Sequence, residues 1–411
     1  MASPTCAQDG VQHNFLQWVP YFLSSNYETN LQHDCCLLGV DLSTSCVVNF
    51  FSNNTVNSYG NITRGHFEAN PDIAGYGVWI SLASALFVNI VAILFVVREW
   101  SYRLRGKKSK ILPTTNKSNS KSHPSSMAQK GKNTAKGVYS WLKSWMKELF
   151  RVTIDAQLVL AFSYALNFGL ESKCTLSAYH YNFAVDTLIL SLSCVTLSVY
   201  VLDDFWRSKW IGCLRTAASI IIYAFLCRYL YYQMERNTSP ELMFIPTPGR
   251  SDSSLLLPMA CFLDPDLDPF INLAPEQKDA IGGPGPKVTP AFVFCYMLAV
   301  GYVGAHLEKF LTRNRPNYHQ NVFMTTAFVV LCSIPCFLSY AHLTILRDWV
   351  DMSGWMEVAN GGGSPEKEIR SIGQIMPLAT IFWILAISFD TGKLARRGMA
   401  NQQAHRQAGK K

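Results

Sequence analysis

The chain has 411 residues, of which 49% are hydrophobic and only 16% are charged, and its formal net charge is +8. Soluble globular proteins carry about 25% charged residues, so the composition argues against a soluble protein. The basic excess does not indicate a nucleic-acid partner, because it is concentrated in one place. Fourteen Lys and Arg residues lie between Arg98 and Arg151, against two acidic residues. A local basic segment beside apolar stretches is typical of a cytosolic loop.

Residues 1–70 precede the first long apolar stretch. They begin "MASPTCAQDG", without the basic and apolar regions of a cleavable signal peptide. We therefore expect 1–70 to be a retained N-terminal region on the lumenal or extracellular side.

Seven later stretches have about the length and apolar character that a bilayer-spanning helix needs. They are 75–97, 152–170, 181–202, 210–232, 290–307, 321–345 and 372–389. The predicted fold is all-α, a multi-pass transmembrane bundle of seven helices.

Two independent signals predict the orientation of this bundle. The loop 98–151, the loop 308–320 and the tail 390–411 are basic, which favours the cytosol. The glycosylation sequons at Asn53, Asn61 and Asn237 all fall on the opposite side. The prediction is a lumenal or extracellular N-terminus and a cytosolic C-terminus, in the endoplasmic reticulum or another endomembrane.

Six of the twelve cysteines fall in predicted lumenal segments, where an even number permits disulfides. They are Cys6, Cys35, Cys36, Cys46, Cys174 and Cys261. The pairing does not follow from the sequence, and a Cys174–Cys261 bond between two lumenal loops is a guess. No cysteine or histidine pattern has the spacing of a zinc site, and no nucleotide, flavin or haem motif is present, so we expect neither metal nor cofactor.

The segments between the helices differ in character. A basic loop, 99–137, is rich in Lys, Ser, Asn and Thr and is predicted to be disordered. Residues 138–150 have Trp and Leu at helical spacing opposite Lys, which predicts an interfacial helix; an early start of the second span is the alternative. The stretch 233–289 is a lumenal loop whose Asp-rich part lacks the Gly and Glu of a calcium loop, and it precedes the spans of 290–389.

Ionisable groups within the membrane are costly and therefore functional candidates. Asp186 is the deepest carboxyl group, and a buried protonated acid is a suitable proton donor. The alternative is an Asp186–Arg228 ion pair that fastens two helices. His342 lies in the same lumenal layer, as a possible proton relay. Asp155 lies toward the cytosol, where a pair with Arg151 is the plainer interpretation.

Other polar and aromatic residues near the ends of the predicted spans also receive predicted roles. Arg215 and His306 are predicted to snorkel or to cap helix ends. Aromatic residues, Tyr229 among them, are dense around the lumenal layer, which suits either an interfacial belt or a cavity that shelters a carbocation. Asp72 is predicted to lie in that lumenal layer too, in one wall of a cavity.

The segment "NPDIAGYGVWISL" (70–82) joins the N-terminal region to the first span, and a basic Ser/Lys-rich loop follows. In this it resembles a group of multi-pass membrane proteins of filamentous fungi. That group includes the integral-membrane terpene cyclases of meroterpenoid pathways, of the ascochlorin, ascofuranone and macrophorin kind.

The resemblance implies an isomerase that performs a proton-initiated, metal-independent cyclisation of a farnesylated, often epoxidised, aromatic compound. Asp186 is the first choice for the acid and Asp155 the second, with Arg228 tuning Asp186. Such a lipophilic substrate and membrane lipid are the expected partners. The alternatives are a seven-helix receptor or sensor, which suits the span count, and a transporter, which the odd count and the lack of repeats disfavour.

Overall fold

In the computed structural model the described residues are 32, 35–36, 39–68, 70–111, 145–166, 174–202, 205, 209–235, 246, 250–263, 265–281, 290–314, 322–357, 366, 375, 377–379 and 382. For some helical positions only the backbone is described, and Asp72, Arg228 and Tyr229 are among them.

The N-terminal region folds into a small sheet, which the all-α expectation did not include. After helix α1 (Leu42–Ser45), strands β1 (Val48–Phe50), β2 (Val56–Tyr59) and β3 (Ile62–Thr63) pair antiparallel in the order β1-β2-β3. The β2–β3 turn needs Gly60, which has φ 56° and whose missing Cβ would collide with the Ser45 backbone.

Long helices form most of the remaining structure. Helix α2 (Pro71–Ala74) precedes the long helices, and the short helix α7 (Pro275–Ala280) lies between two of them. The long helices are α3 (Tyr76–Ile111), α4 (Trp145–Leu166), α5 (Ala178–Val201), α6 (Lys209–Glu235), α8 (Pro290–Asn314) and α9 (Val322–Ser353). Five of them contain a stretch long and apolar enough to cross a membrane, so the chain is a membrane protein.

The predicted spans agree with these helices in part. The five membrane-crossing stretches are Tyr76–Arg98, Trp145–Leu166, Ala178–Val201, Trp210–Cys227 and Thr326–Ser353, which match the first, second, third, fourth and sixth predictions. The fifth prediction coincides with α8, which is helical but not among the five. The seventh, 372–389, lies almost wholly outside the described residues.

Two predicted loop segments begin differently. Helix α3 continues through Ile111, so the loop predicted from residue 99 starts later. The reason is that Arg and Lys are good helix formers, and the first proline after the span is Pro113. Residues 145–150, predicted as part of an interfacial helix, form one continuous helix with the second span, as in the alternative. Residues 112–144 lie outside the described part.

Helix α5 is the centre of the bundle. It contacts α3, α6, α8 and α9, and 94% of its apolar stretch is buried inside the protein. Its many hydroxyl side chains bond to the helix itself: Thr187 donates to the Phe183 carbonyl at 2.9 Å and Thr196 to the Leu192 carbonyl at 2.8 Å. A polar helix can therefore lie in the core without exposing unsatisfied hydroxyls.

A compact structure, here called the cap, covers one end of the bundle and consists of residues 39–68, 250–263, 265–281 and 354–357. Within it Cys46 is bonded to Cys261, and Cys35 of the N-terminal region is bonded to Cys174, just before α5. The guessed Cys174–Cys261 bond is therefore wrong. Both residues do form disulfides, but each pairs with a cysteine of the N-terminal region, because that region packs against both segments.

Backbone hydrogen bonds fix the ends of two helices to the cap. The Ala178 N–H, at the start of α5, donates to the Leu257 carbonyl at 2.8 Å. Beyond the end of α9, the Phe67 N–H donates to the Trp355 carbonyl at 2.8 Å and the Glu357 N–H to the Phe67 carbonyl at 3.1 Å. The loop 233–289 thus contains core structure, with residues 253–257 and 259–263 buried.

Candidate functional site

The deepest charged group of α5 meets a histidine of α9. Asp186 is the ninth residue of α5, about 12 Å along the axis from its first residue at 1.5 Å per residue. Its Oδ2 contacts Nδ1 of His342, and the two side chains are 1% and 2% exposed. The prediction that both lie in one layer is confirmed, and the structure makes them direct partners.

Two further polar side chains surround this pair. Asn182 is one turn before Asp186 on α5, and Ser339 is one turn before His342 on α9; both are fully buried. Four of their atoms have no hydrogen-bond partner within the described part of the chain. They are the amide nitrogen and oxygen of Asn182, the Ser339 hydroxyl and Oδ1 of Asp186. The Ser339 hydroxyl lies beside the Asp186 carboxylate but not in hydrogen-bonding geometry.

We call Asn182, Asp186, Ser339 and His342 the deep cluster. Leaving a buried polar group unpaired costs about 1–3 kcal/mol, so buried groups are normally hydrogen-bonded. The deep cluster contains several such groups within one turn of an acid. This concentration is typical of a site that receives another molecule rather than of helix packing alone.

A second histidine–carboxylate pair lies at the cap end of α5. Nε2 of His180 is 3.3 Å from Oε1 of Glu366, and the Tyr179 hydroxyl donates to Oε2 of Glu366 at 3.2 Å. The other ring nitrogen, Nδ1, is 2.9 Å from the Ser177 hydroxyl. The Asn70 N–H also reaches Nε2, at 3.3 Å. This network joins α5 to the segment that opens the first span.

The segment 70–82 packs against α9 through aromatic side chains. Trp79 stacks on Tyr340 with ring centroids 6.1 Å apart, and its indole N–H donates to the Thr344 hydroxyl at 3.4 Å. The guanidinium of Arg347 lies 4.9 Å from the Tyr76 ring centre and 5.7 Å from that of Trp79. The segment therefore contacts α9 within a turn or two of the deep cluster.

The second predicted acid is in a different environment. Both oxygens of Asp155 accept hydrogen bonds from Arg215, each at 2.7 Å, and the Asp155 side chain is 47% exposed. The predicted Asp155–Arg151 pair is wrong, because Arg151 binds Glu148 one turn earlier. Arg215 does not snorkel: it is buried, and its guanidinium lies over the Phe205 ring.

For the remaining predicted residues, some side chains are described by the structure and others are not. His306 is not at a helix end but packs edge-on against Tyr302 and Phe205. Asn53 and Asn61 are exposed on the cap. The side chains of Asp72, Arg228 and Tyr229, and the whole of Asn237, lie outside the described residues, so the predicted Asp186–Arg228 interaction stays a prediction.

In the described part of the chain, no group of three His, Cys, Asp or Glu side chains is placed to hold a metal ion. Compared with known proteins, the chain matches no family model, no curated protein and no solved structure.

Proposed function

We propose that the protein is a membrane-bound terpene cyclase that starts the cyclisation of a prenylated aromatic compound by proton transfer from Asp186. One observation carries the proposal. His342 holds one oxygen of this buried carboxyl group, while the other oxygen has no partner among the described residues. An acid with one oxygen fixed and one free, in apolar surroundings, is arranged to give a proton to a bound molecule.

The proposed reaction needs only one proton. Asp186 Oδ1–H protonates the epoxide oxygen or terminal alkene of the prenyl chain, which leaves a carbocation on the substrate and a carboxylate on Asp186. The His342 Nδ1–H stabilises that carboxylate by a charge-assisted hydrogen bond. The chain then closes on the cation. Loss of a proton from the cyclic cation restores the acid, so atoms and charge balance as in any isomerisation.

The surroundings support a cationic intermediate. Phe183 is fully buried on α5 next to the deep cluster, and Tyr340 and Trp79 stack one turn away on α9 and α3. Aromatic faces attract cations and cannot capture them as a hydroxyl would. Asp155 is less suited to be the acid because both of its oxygens are bonded to Arg215. A tuning role of Arg228 stays part of the proposal.

The same proposal includes seven spans, a lumenal N-terminus, a cytosolic C-terminus and an endomembrane location. The Cys46–Cys261 disulfide of the cap and the Cys35–Cys174 disulfide beside it support an oxidising compartment on the cap side. The exposed Asn53 and Asn61 lie on that side as well, as glycosylation requires. We propose no metal or organic cofactor, since proton transfer and ring closure need neither.

The test is expression in yeast that produces farnesylated phenols and their epoxides, with products identified by mass spectrometry and NMR. Wild type should give a new cyclic isomer, Asp186→Asn should give none, and Asp155→Asn serves as the matched carboxylate control that retains the product. If wild type converts none of the substrates, the enzyme assignment fails and the alternative receptor or transporter functions remain. If Asp186→Asn retains the product, the choice of acid fails.

A further inference from the structure

Arg347 is an arginine that the proposed reaction does not use. It belongs to the last turns of α9 and is only 5% exposed. Its guanidinium contacts the rings of Tyr76 and Trp79, and among the residues that the structure describes its Nη2 has no hydrogen-bond partner. A buried guanidinium without a direct partner is costly, and arginines at such positions usually bind a carboxylate or a phosphate.

In the described part of the chain no acidic group forms a direct ion pair with Arg347. Glu366 and Asp351 lie with Arg347 in the electrostatic surroundings of the Tyr179 hydroxyl. Glu366 instead binds Tyr179 and His180, and neither acid forms an ion pair with Arg347 in the described part of the chain. Asp351 is four residues away on the same helix, a spacing that often gives a pair, but its carboxylate does not form one with Arg347.

Two aromatic rings orient the guanidinium. Tyr76 and Trp79 are three residues apart on α3 and therefore neighbours on one helix face. Because the Trp79 indole is held by Thr344 and Tyr340 of α9, the aromatic contact surface is fixed before any ligand arrives. Arginine that is pre-positioned on aromatic faces loses little freedom when it binds an anion through its planar fork of N–H groups.

The position also suits a molecule that reaches the deep cluster. Tyr179, in whose surroundings Arg347 lies, is seven residues before Asp186 on α5. Seven residues are about two turns, so the two side chains share a helix face and are separated by about 10 Å along it. An isoprenoid chain of a few units covers such a distance.

We propose that Arg347, held by Tyr76 and Trp79, anchors the carboxylate of a lipophilic aromatic acid. The choice of a prenylated acid rests on the proposed function, whereas the preference for an anion rests on Arg347 alone. In this arrangement the acidic head group binds near the cap end of α9, and the apolar chain extends along α5 toward Asp186.

The test measures binding, not conversion. Full-length protein in phosphatidylcholine nanodiscs is titrated with a farnesylated benzoic acid and with its methyl ester, which lacks the charge. Wild type should bind the acid at least about tenfold more tightly than the ester. Arg347→Met should bring the two affinities to within about twofold of each other. Arg250→Met, which removes a half-exposed arginine of the cap, is the matched control and should retain the preference.

Two further measurements separate ligand binding from a structural role. Without ligand, Arg347→Met should melt at the same temperature as wild type or higher, because it removes an unpaired buried charge. A large fall in its melting temperature would overturn the proposal, and so would an unchanged acid preference. If phosphatidylserine in the nanodisc displaces the acid from wild type but not from Arg347→Met, the site belongs to lipid and the proposed ligand is wrong. Asp186→Asn should keep the acid preference, so failure of the cyclase assignment remains a separate result.

Discussion

Two carboxylates within the helical bundle, Asp155 and Asp186, have partners of different kinds. Arg215 binds both oxygens of Asp155, and nearly half of that side chain is exposed. His342 binds one oxygen of Asp186, and that pair is almost completely buried. A guanidinium cannot give up its charge in a protein, and in the outer pair, Asp155–Arg215, it occupies both carboxylate oxygens. An imidazole can gain or lose a proton, and Asp186 keeps one oxygen without a partner among the described residues, so the deep pair, Asp186–His342, is better suited to exchange protons with a ligand.

The largest expected effect follows from this difference. Asp186→Asn keeps the shape of the side chain but cannot donate a proton as an acid, so the rate of cyclisation in isolated membranes should fall by about 10³-fold or more. Asp155→Asn should stay within about threefold of wild type once rates are corrected for protein amount. Equal losses in the two variants would contradict the distinction between the two pairs.

Removing the disulfide that anchors the start of α5 should disturb the Asp186–His342 pair and not the Asp155–Arg215 pair. Cys35→Ser combined with Cys174→Ser removes the disulfide just before α5, and such losses typically cost about 2–4 kcal/mol. We expect a lower thermal stability and an activity reduced by about tenfold, because the start of α5 is then less firmly held. Cys213→Ser, which changes an exposed free cysteine, is the control. A double variant with unchanged stability would mean that the hydrogen bonds of the cap suffice.

The outer pair should appear in stability and not in catalysis. Asp155→Asn leaves the buried Arg215 without its counter-charge, and because Asp155 is half exposed we expect a loss of only about 1–2 kcal/mol. Arg215→Met added to Asp155→Asn should recover most of it, since the unpaired charge is then gone. Thermal denaturation of the two single variants and the double variant in detergent gives the coupling between the residues. Additive losses would show that the bond contributes little.

The smallest effect concerns Asn182, whose amide has no partner in the described structure. Asn182→Leu has nearly the same size and removes an unsatisfied buried group, so its free energy of unfolding should equal that of wild type or exceed it by about 1 kcal/mol or less. Its product distribution should change, because the wall next to the acid becomes apolar. A marked destabilisation would instead mean that the amide is bonded within the protein.

Hydropathy predicted most of the helices because a membrane span has a simple length and composition. Five of the seven predicted spans coincide with stretches that can cross a membrane. The small sheet was not predicted, since its strands have only three, four and two residues. Such short strands are defined by tertiary contacts within the cap rather than by a periodic pattern.

The site was predicted less completely than the fold. Asp186 and His342 were recognised because ionisable residues are conspicuous in apolar stretches, and orientation placed both in one layer. Their contact was not predicted, because 156 residues separate them. Arg347 lies two residues beyond the end of the predicted span 321–345, and Glu366 lies in a polar stretch between spans, so neither was conspicuous. The Arg215 partner of Asp155 was missed because the sequence offered a closer basic residue, Arg151.

The enclosed position of α5 has a consequence for how the protein is made. During synthesis α5 enters the membrane well before α9. More than a hundred further residues must be synthesised before α9 can cover Asp186 and Asn182. Lipid offers such groups no hydrogen bonds. The nascent α5 must therefore stay beside other protein, either the earlier helices α3 and α4 or the insertion machinery, until α9 arrives. Correct assembly, and not only the chemistry of the finished protein, thus depends on the encounter of Asp186 with His342.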